Sequence, residues 1–88
     1  MDTTHALGQA IRWHRTKLNL SQETIGISQS YVSDIERGLK SLSVEKLEEF
    51  ADAMGVHPLS ILAKCYLLKD TSVSLADIVD RINDETQE

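Results

Sequence analysis

The chain has 88 residues, which is enough for one domain with a modest hydrophobic core but not for two. Apolar residues make up 41% of it and aromatic residues only 5%, a balance typical of small helical bundles with aliphatic cores. One proline and four glycines leave little room for an all-β fold with many turns. The single cysteine excludes an internal disulfide and a cysteine-based zinc site, and it favours a reducing, cytoplasmic location.

The net charge of −5 argues against a protein that binds nucleic acid over its whole surface. The charge is unevenly distributed along the chain. Residues 1–42 hold five basic and four acidic groups, whereas residues 43–88 hold four basic and ten acidic groups. A DNA contact would therefore belong to the first half. No apolar run is long enough to cross a membrane and no secretion leader is recognisable, so no membrane partner is expected.

The first predicted helix begins near Thr3 or Thr4, because either hydroxyl can accept a hydrogen bond from a free N–H group of the first turn. Asn19 and Leu20 leave the helix. Its apolar residues recur at helical spacing and predict one buried face, formed by Leu7, Ala10, Ile11, His14 and Leu18. Trp13 stands beside this face, where it can cover the edge of the core or project outward.

A short helix and a longer one follow, joined by a glycine. Ser21 can cap the short helix, Gln22–Ile25, which is barely one turn long and depends on packing for its stability. Gly26 breaks it. Ser28 is a good N-cap for the next helix, and Gly38 suits the left-handed turn that ends it. The unit is therefore a short helix, a glycine turn and a second helix.

The helix between Ser28 and Gly38 has one narrow apolar side and one polar side. The apolar side is formed by Val32 and Ile35, with Tyr31 beside them. The polar side carries Gln29, Ser30, Ser33, Asp34 and Arg37. A polar side with almost no bulky apolar group is what a surface that reads base edges requires. An ordinary amphipathic surface helix has the same pattern, so these residues alone leave both interpretations open.

Three further helices are predicted, each with local signals at its ends. Ser43 caps the first and Gly55 ends it, Pro58 occupies the first turn of the second, and Ser74 caps the third. The first has an apolar stripe formed by Val44, Leu47, Phe50, Ala51 and Met54. The second is apolar nearly all round, so burial on more than one side is expected. The third has one apolar face, formed by Leu75, Ile78, Val79 and Ile82.

The residues give no indication of an enzyme. His5, His14 and His57 lie on three different segments, and none has a cysteine or a carboxylate at the spacing of a metal site or a catalytic triad. We therefore interpret each histidine as a capping or partly buried side chain. No catalytic residue, no bound metal and no cofactor are expected.

Two short runs of sequence together resemble the Cro/CI-type helix-turn-helix family, also known as the XRE family. They are the Ser-Gln-Glu that starts at Ser21 and the Ile-Glu-Arg-Gly that ends at Gly38. The resemblance covers about residues 5 to 68 of the chain. It implies an all-α fold, with a five-helix lambda-repressor-like DNA-binding domain in residues 1–69 and an additional C-terminal helix in residues 70–88.

The resemblance also implies a site for double-stranded DNA. In the family, the helix that begins at Ser28, the recognition helix, lies in the major groove and its first residues contact base edges. Gln29 is similar to the family's base-reading glutamine, Gln22 to the glutamine that holds a phosphate, and Lys40 lies in the loop that usually meets the DNA backbone. The implied DNA-binding residues are Gln22, Ser28, Gln29, Ser30, Ser33, Asp34, Arg37 and Lys40.

Two further comparisons with the family bear on how this site is built. Arg15 and Glu36 match an internal ion pair, so Arg15 is expected to be structural rather than to contact DNA. The family normally has about one more helical turn between Gln22 and Gly26. A deletion of about four residues removes roughly 5 to 6 Å of helix and nearly keeps the rotational phase, so the recognition helix can keep its setting or be drawn away from the groove.

The resemblance therefore implies a DNA-binding transcriptional regulator, a repressor that binds a palindromic operator as a homodimer. The apolar face of the last helix, from Leu75 to Ile82, is surplus to the five-helix unit. We expect it to help form the dimer, the alternative being that it packs back on its own domain. A protein-binding module of the same fold, an antitoxin or an antagonist of another regulator, is the second interpretation, because the second half is so acidic. Binding that weakens steeply as salt rises would favour DNA.

Overall fold

The computed structural model describes residues 1–88 and contains five α-helices, one 3₁₀ turn and no strand. In chain order the elements are α1 (Thr3–Lys17), the 3₁₀ turn (Glu23–Ile25), α2 (Gln29–Glu36), α3 (Val44–Met54), α4 (Pro58–Lys69) and α5 (Leu75–Thr86). The all-α prediction is confirmed. The short second helix is a 3₁₀ turn, because its backbone bonds run from Thr24 N–H to Ser21 and from Gly26 N–H to Glu23, a spacing of three residues.

The core lies where α1 crosses α4 and α2, while α3 packs on α4 and receives the 3₁₀ turn. Phe50 is its largest fully buried side chain. The other buried apolar residues are all small, aliphatic or sulfur-containing, as the composition predicts: Ala6, Ala10, Ile11, Ile25, Val32, Ile35, Leu47, Ala51, Met54, Ile61 and Cys65. Burial raises the pKa of the Cys65 thiol, which agrees with an inert core residue.

Local end signals place most helix ends where the sequence predicts them. The Ser43 hydroxyl accepts from the Lys46 N–H, and Ser74 and Asp77 form a reciprocal capping box at the start of α5. Gly55 ends α3 in the left-handed conformation. The start of α1 differs, since Asp2 caps it by accepting from the His5 N–H at 2.8 Å. A carboxylate both fills the cap and interacts favourably with the helix dipole.

The two threonines proposed as caps, Thr3 and Thr4, are instead the first residues of α1. The prediction that Leu18 lies on the buried face of α1 is also wrong. The helix ends at Lys17, and the leucine that follows is 42% exposed. Both errors concern helix ends, where a shift of one residue changes which side chain is buried.

His14 and His57 have the structural roles expected of them, whereas His5 is neither partly buried nor a cap. His14 is buried and its Nε2 lies 3.2 Å from the Ser60 carbonyl oxygen. His57 caps α4, its Nδ1 accepting from the Leu59 N–H. His5 is exposed and hydrogen-bonded to the cap of α1, and its two bonds hold the pKa of that carboxyl below its ordinary value.

The position of Trp13 is settled by its neighbours. Its ring meets that of His14 edge to face and lies beneath the ammonium groups of Lys17 and Lys64, at 4.8 and 4.3 Å from the ring centroid. Trp13 therefore covers the edge of the core and is itself partly covered by two cations. No helix of the chain is both long enough and apolar enough to span a membrane.

The last two helices are less buried than their apolar content suggests. On α4, Ile61 and Cys65 are buried. Leu59 is more than half exposed and Tyr66 is half exposed. The expectation that α4 is covered on several sides therefore holds only in part. Helix α5 packs on α4 and contains no buried residue.

Candidate nucleic-acid interface

Helix α2 turns its polar side to solvent. Its buried residues, Val32, Ile35 and Glu36, face α1 and the core. Gln29, Ser30 and Arg37 are exposed to solvent, and Ser33 and Asp34 are partly exposed. The structure thus brings together on one surface the polar residues singled out in this part of the sequence.

The first turn of α2 carries no side-chain cap. Ser28 is the N-cap residue, but its hydroxyl lies 3.1 Å from the Ser30 hydroxyl and forms no bond to the backbone. The N–H groups at the start of an α-helix have no partner within the helix. This end of α2 therefore presents backbone donors and two hydroxyl groups in one place.

A left-handed glycine sets the direction from the 3₁₀ turn into α2. Gly26 has φ of +77°, a conformation that other residues adopt only with strain. Ile25 is buried against α3 on one side of this glycine, and Ile27 is partly buried on the other. The shortened connection thus keeps α2 in the domain, with Val32 and Ile35 in its core.

A buried ion pair fastens α2 to α1. Arg15 donates from Nε and Nη2 to the two carboxylate oxygens of Glu36, at 2.6 and 2.9 Å, and from Nη1 to the Leu20 carbonyl oxygen. Only 13% of the Arg15 side chain and 4% of the Glu36 side chain are exposed. The hydrogen bonds that Arg15 donates to the Glu36 carboxylate raise the pKa of the Arg15 guanidinium above its ordinary value.

Gln22 joins the same network. Its Nε2 donates to Oε1 of Glu36 at 3.2 Å, so the side chain points at the ion pair. Three parts of the chain, α1, the 3₁₀ turn and α2, therefore meet at one carboxylate. A contact between Gln22 and a DNA phosphate would fall to its backbone N–H group while this bond is kept.

Gly8 is a further residue that positions α2, and it is not among the residues predicted from the sequence. A Cβ atom added at Gly8 would lie 2.1 Å from the carbonyl oxygen of Ile35, so the backbones of α1 and α2 are nearly in contact. The available signal was a glycine inside an otherwise regular helix, which commonly marks a close approach.

Lys40 has a partner that the sequence did not indicate. Its Nζ lies 3.3 Å from Oδ2 of Asp34 and also over the ring of Tyr31, 5.4 Å from the centroid. Tyr31 packs against Phe50 of the core, with 6.3 Å between the ring centroids. The loop lysine is therefore attached to the recognition helix.

The predicted dimer contact lies away from α2. An apolar groove of about 710 Å³ runs between α4 and α5, with Trp13 at its edge. Its apolar lining includes Leu59, Ala63, Leu67, Leu75, Ile78, Val79 and Ile82. Leu75, Val79 and Ile82 remain about half exposed. Packing on α4 therefore covers the apolar face of α5, here called the α5 seam, only in part.

The fold and the polar recognition helix define a helix-turn-helix domain, and comparisons with known proteins agree. The helix-turn-helix family model matches residues 11–61. The chain is 38% identical over 60 residues to control protein C.BamHI of Bacillus amyloliquefaciens, an alignment covering 62% of this chain and 74% of that protein.

Two solved structures are similar as well. The restriction-modification controller protein C.AhdI from Aeromonas hydrophila has 34% identity and a TM-score of 0.63, over 66% of this chain and 94% of that one. The clp gene regulator ClgR from C. glutamicum has 28% identity and a TM-score of 0.69, over 75% and 91% of the two chains. The chain belongs to the Cro/CI-type helix-turn-helix family. It is a DNA-binding regulator of transcription and not an enzyme.

Proposed function

We propose that the protein is a sequence-specific regulator that represses transcription by binding a palindromic operator as a homodimer. The observation that carries the proposal is the outward side of α2, which exposes amide, hydroxyl and charged groups and no large apolar side chain. Base edges in the major groove are recognised by groups of this kind. In the family this helix is the one that enters the groove.

The residues of the surface divide into base-reading and backbone-contacting groups. Gln29 is the principal reader, because its amide can bond to N6 and N7 of adenine at once. Ser30 and Ser33 lie within reach of neighbouring bases. Arg37 is exposed and has no ion-pair partner in the chain, so its charge is free for phosphate. The backbone N–H group of Gln22 provides a further contact with a DNA phosphate.

Phosphate contacts at the start of α2 fall to Ser28. Lys40, in the loop after the helix, adds positive charge at the same surface. Neutralisation of phosphates by Arg37 releases counterions, which makes affinity depend on salt.

A homodimer is supported by the size of the chain and by the uncovered seam. One chain measures 39 × 26 × 23 Å, so it covers about one half-site, whereas two recognition helices about 34 Å apart match one turn of DNA. The half-exposed apolar face of α5 gives a surface that a second copy can cover. We propose Leu75, Ile78, Val79 and Ile82 as its contact residues.

Selection from random DNA followed by gel-shift titration tests the proposal. A palindromic motif should emerge, and log K should fall linearly with log salt, by about 0.9 for each phosphate neutralised. If no motif emerges and binding to DNA is absent, the protein-binding alternative gains support. The apolar groove beside α5 would then be its candidate surface.

Replacing Gln29 with alanine should weaken specific binding by roughly 1 to 3 kcal/mol and abolish discrimination at one base pair of each half-site. The amide is the group of the first turn best suited to bidentate bonding. Competition titrations against operators altered at one position measure both effects. Gln87→Ala removes an amide at the far end of the chain and should leave affinity unchanged. Unaltered base preference in Gln29→Ala would exclude this residue as a reader.

Placing a charge in the α5 seam should separate the dimer. Val79→Glu would bury a carboxylate against apolar groups, which is costly, so light scattering should report a monomer and operator binding should weaken. Ala76→Glu adds the same group on an exposed position of the same helix and should remain dimeric. A Val79→Glu protein that stays dimeric with full operator affinity would show that the dimer contact lies elsewhere.

A further inference from the structure

Asp34 and Lys40 form an ion pair on the outward side of α2, with 3.3 Å between Oδ2 and Nζ. We propose that the two side chains act together to read one C·G base pair, Asp34 accepting from the cytosine and Lys40 donating to the guanine paired with it. The inference rests on the proposed DNA-binding function. It adds the identity of one base pair that each half-site must carry.

Asp34 lies on the side of α2 that is proposed to enter the groove. It follows Ser30 by four residues, so the two side chains are neighbours on the helix surface. The core-facing residues Val32 and Ile35 are fully buried, whereas 30% of the Asp34 side chain is exposed. A ligand that reaches Ser30 therefore also reaches the Asp34 carboxylate.

Lys40 is held beside this carboxylate by two attractions. Its ammonium group interacts with the ring of Tyr31 as well as with Asp34, and the ring is fixed by its packing on Phe50. The pair adds little to stability, because water and salt screen the attraction between exposed charges. Half of the Lys40 side chain is exposed, so its remaining N–H donors are open to a ligand.

The pair matches the major-groove edge of C·G. Cytosine offers an amino donor at N4, and the paired guanine offers acceptors at O6 and N7. N4 and O6 bond to each other and so lie about 2.9 Å apart, close to the 3.3 Å between the carboxylate oxygen and the ammonium nitrogen. A carboxylate can only accept and an ammonium can only donate, so each atom meets its complement.

The alternative base pairs fit less well. An A·T pair in the same orientation offers the same central donor and acceptor, N6 of adenine and O4 of thymine, but it adds the acceptor N7 beside the carboxylate and puts a methyl group where guanine offers the ammonium a second acceptor. A G·C pair in reverse places acceptors against Asp34 and a donor against Lys40. A carboxylate without Lys40 would also be repelled by the DNA phosphates. The lysine therefore both orients Asp34 and offsets its charge.

The test compares base preference in the wild-type protein, Asp34→Asn and Lys40→Ala. The operator motif is first selected from random DNA, and affinity is then measured for all four base pairs at each position. The wild type should prefer C·G at one position of each half-site by roughly 5- to 150-fold. Asp34→Asn should shift that position toward A·T, since asparagine pairs with adenine. Lys40→Ala should lose preference at the same position and at no other.

Lys46→Ala is the matched control. Lys46 lies over the same Tyr31 ring, 5.7 Å from its centroid, but its ion-pair partner is Glu49. The Lys46→Ala substitution removes the same charge as Lys40→Ala and should leave base preference unchanged. Melting curves that coincide with the wild type exclude misfolding in all three variants.

Four results would overturn the inference. Uniform weakening by Lys40→Ala, with the motif unchanged, would make Lys40 a phosphate contact. Uniform tightening by Asp34→Asn would show that its carboxylate only repels DNA. A selected motif without a C·G preference would refute this pair as its reader while leaving the DNA-binding proposal intact, whereas selection of no motif would contradict both.

Discussion

Arg15→Ala is expected to lower the free energy of unfolding by about 3 to 5 kcal/mol. The reason is that Glu36, with 4% of its side chain exposed, would be left in the interior without its cationic partner and with one hydrogen bond, donated by Gln22. A chain of 88 residues has a total stability of roughly 4 to 13 kcal/mol. The melting temperature should therefore fall by more than roughly 10 °C, measured by circular dichroism or calorimetry.

Two comparisons make this result specific to the buried pair. Arg12→Ala removes an exposed arginine from the same helix and should change stability by no more than about 0.5 kcal/mol. Replacing both partners, as Arg15→Met with Glu36→Leu, should recover much of the loss, because no charge is left unpaired. If Arg15→Ala melted like the wild type but failed to bind DNA, Arg15 would be a phosphate contact instead of a structural residue.

Much of the fold was predictable because helix ends are encoded locally. Ser43, Gly55, Pro58 and Ser74 act through bonds or backbone angles within a few residues of themselves, so their roles can be recognised without knowing the tertiary structure. The N-cap of α1 could not be predicted in this way, because three successive residues, Asp2, Thr3 and Thr4, can all cap a helix. Asp2 is the one that does so.

Contacts between distant segments were predictable only where the family resemblance supplied them. Arg15 and Glu36 are 21 residues apart, and the resemblance implied their pairing. Neither the bond from Gln22 to Glu36 nor the ion pair of Asp34 with Lys40 has a sequence signal, since each depends on where a loop places a flexible side chain.

For the C-terminal helix, the sequence predicts the element but not the surface that packs against it. Its amphipathic pattern was evident, and α5 forms where that pattern predicts it. What covers its apolar face depends on a second surface, and periodicity within one segment contains no information about that surface. Val79 lines the groove between α4 and α5. A single charged substitution at this residue can therefore test whether the groove is the dimer contact.

Gly8→Ala should destabilise the protein by about 2 kcal/mol, the upper end of the steric cost less the roughly 1 kcal/mol by which alanine is the better helix former. The new Cβ would lie 2.1 Å from the Ile35 carbonyl oxygen, which belongs to the backbone and cannot move aside as a side chain can. Overpacking of this kind costs about 1 to 3 kcal/mol and occasionally more. Here the helices α1 and α2 must separate, so the steric cost outweighs the gain in propensity.

Because α2 is the proposed recognition helix, we expect this separation also to weaken operator binding at protein concentrations and temperatures where the variant is still folded. Gly26→Ala is the informative comparison, since its Cβ would meet nothing within 4 Å and its cost arises only from φ of +77°. That cost is about 1 to 2 kcal/mol. Denaturant melts and gel-shift titrations of both variants measure the two effects separately. A Gly8→Ala protein that is more stable than the wild type would mean that helix propensity dominates at this position and that α1 and α2 have room to spare.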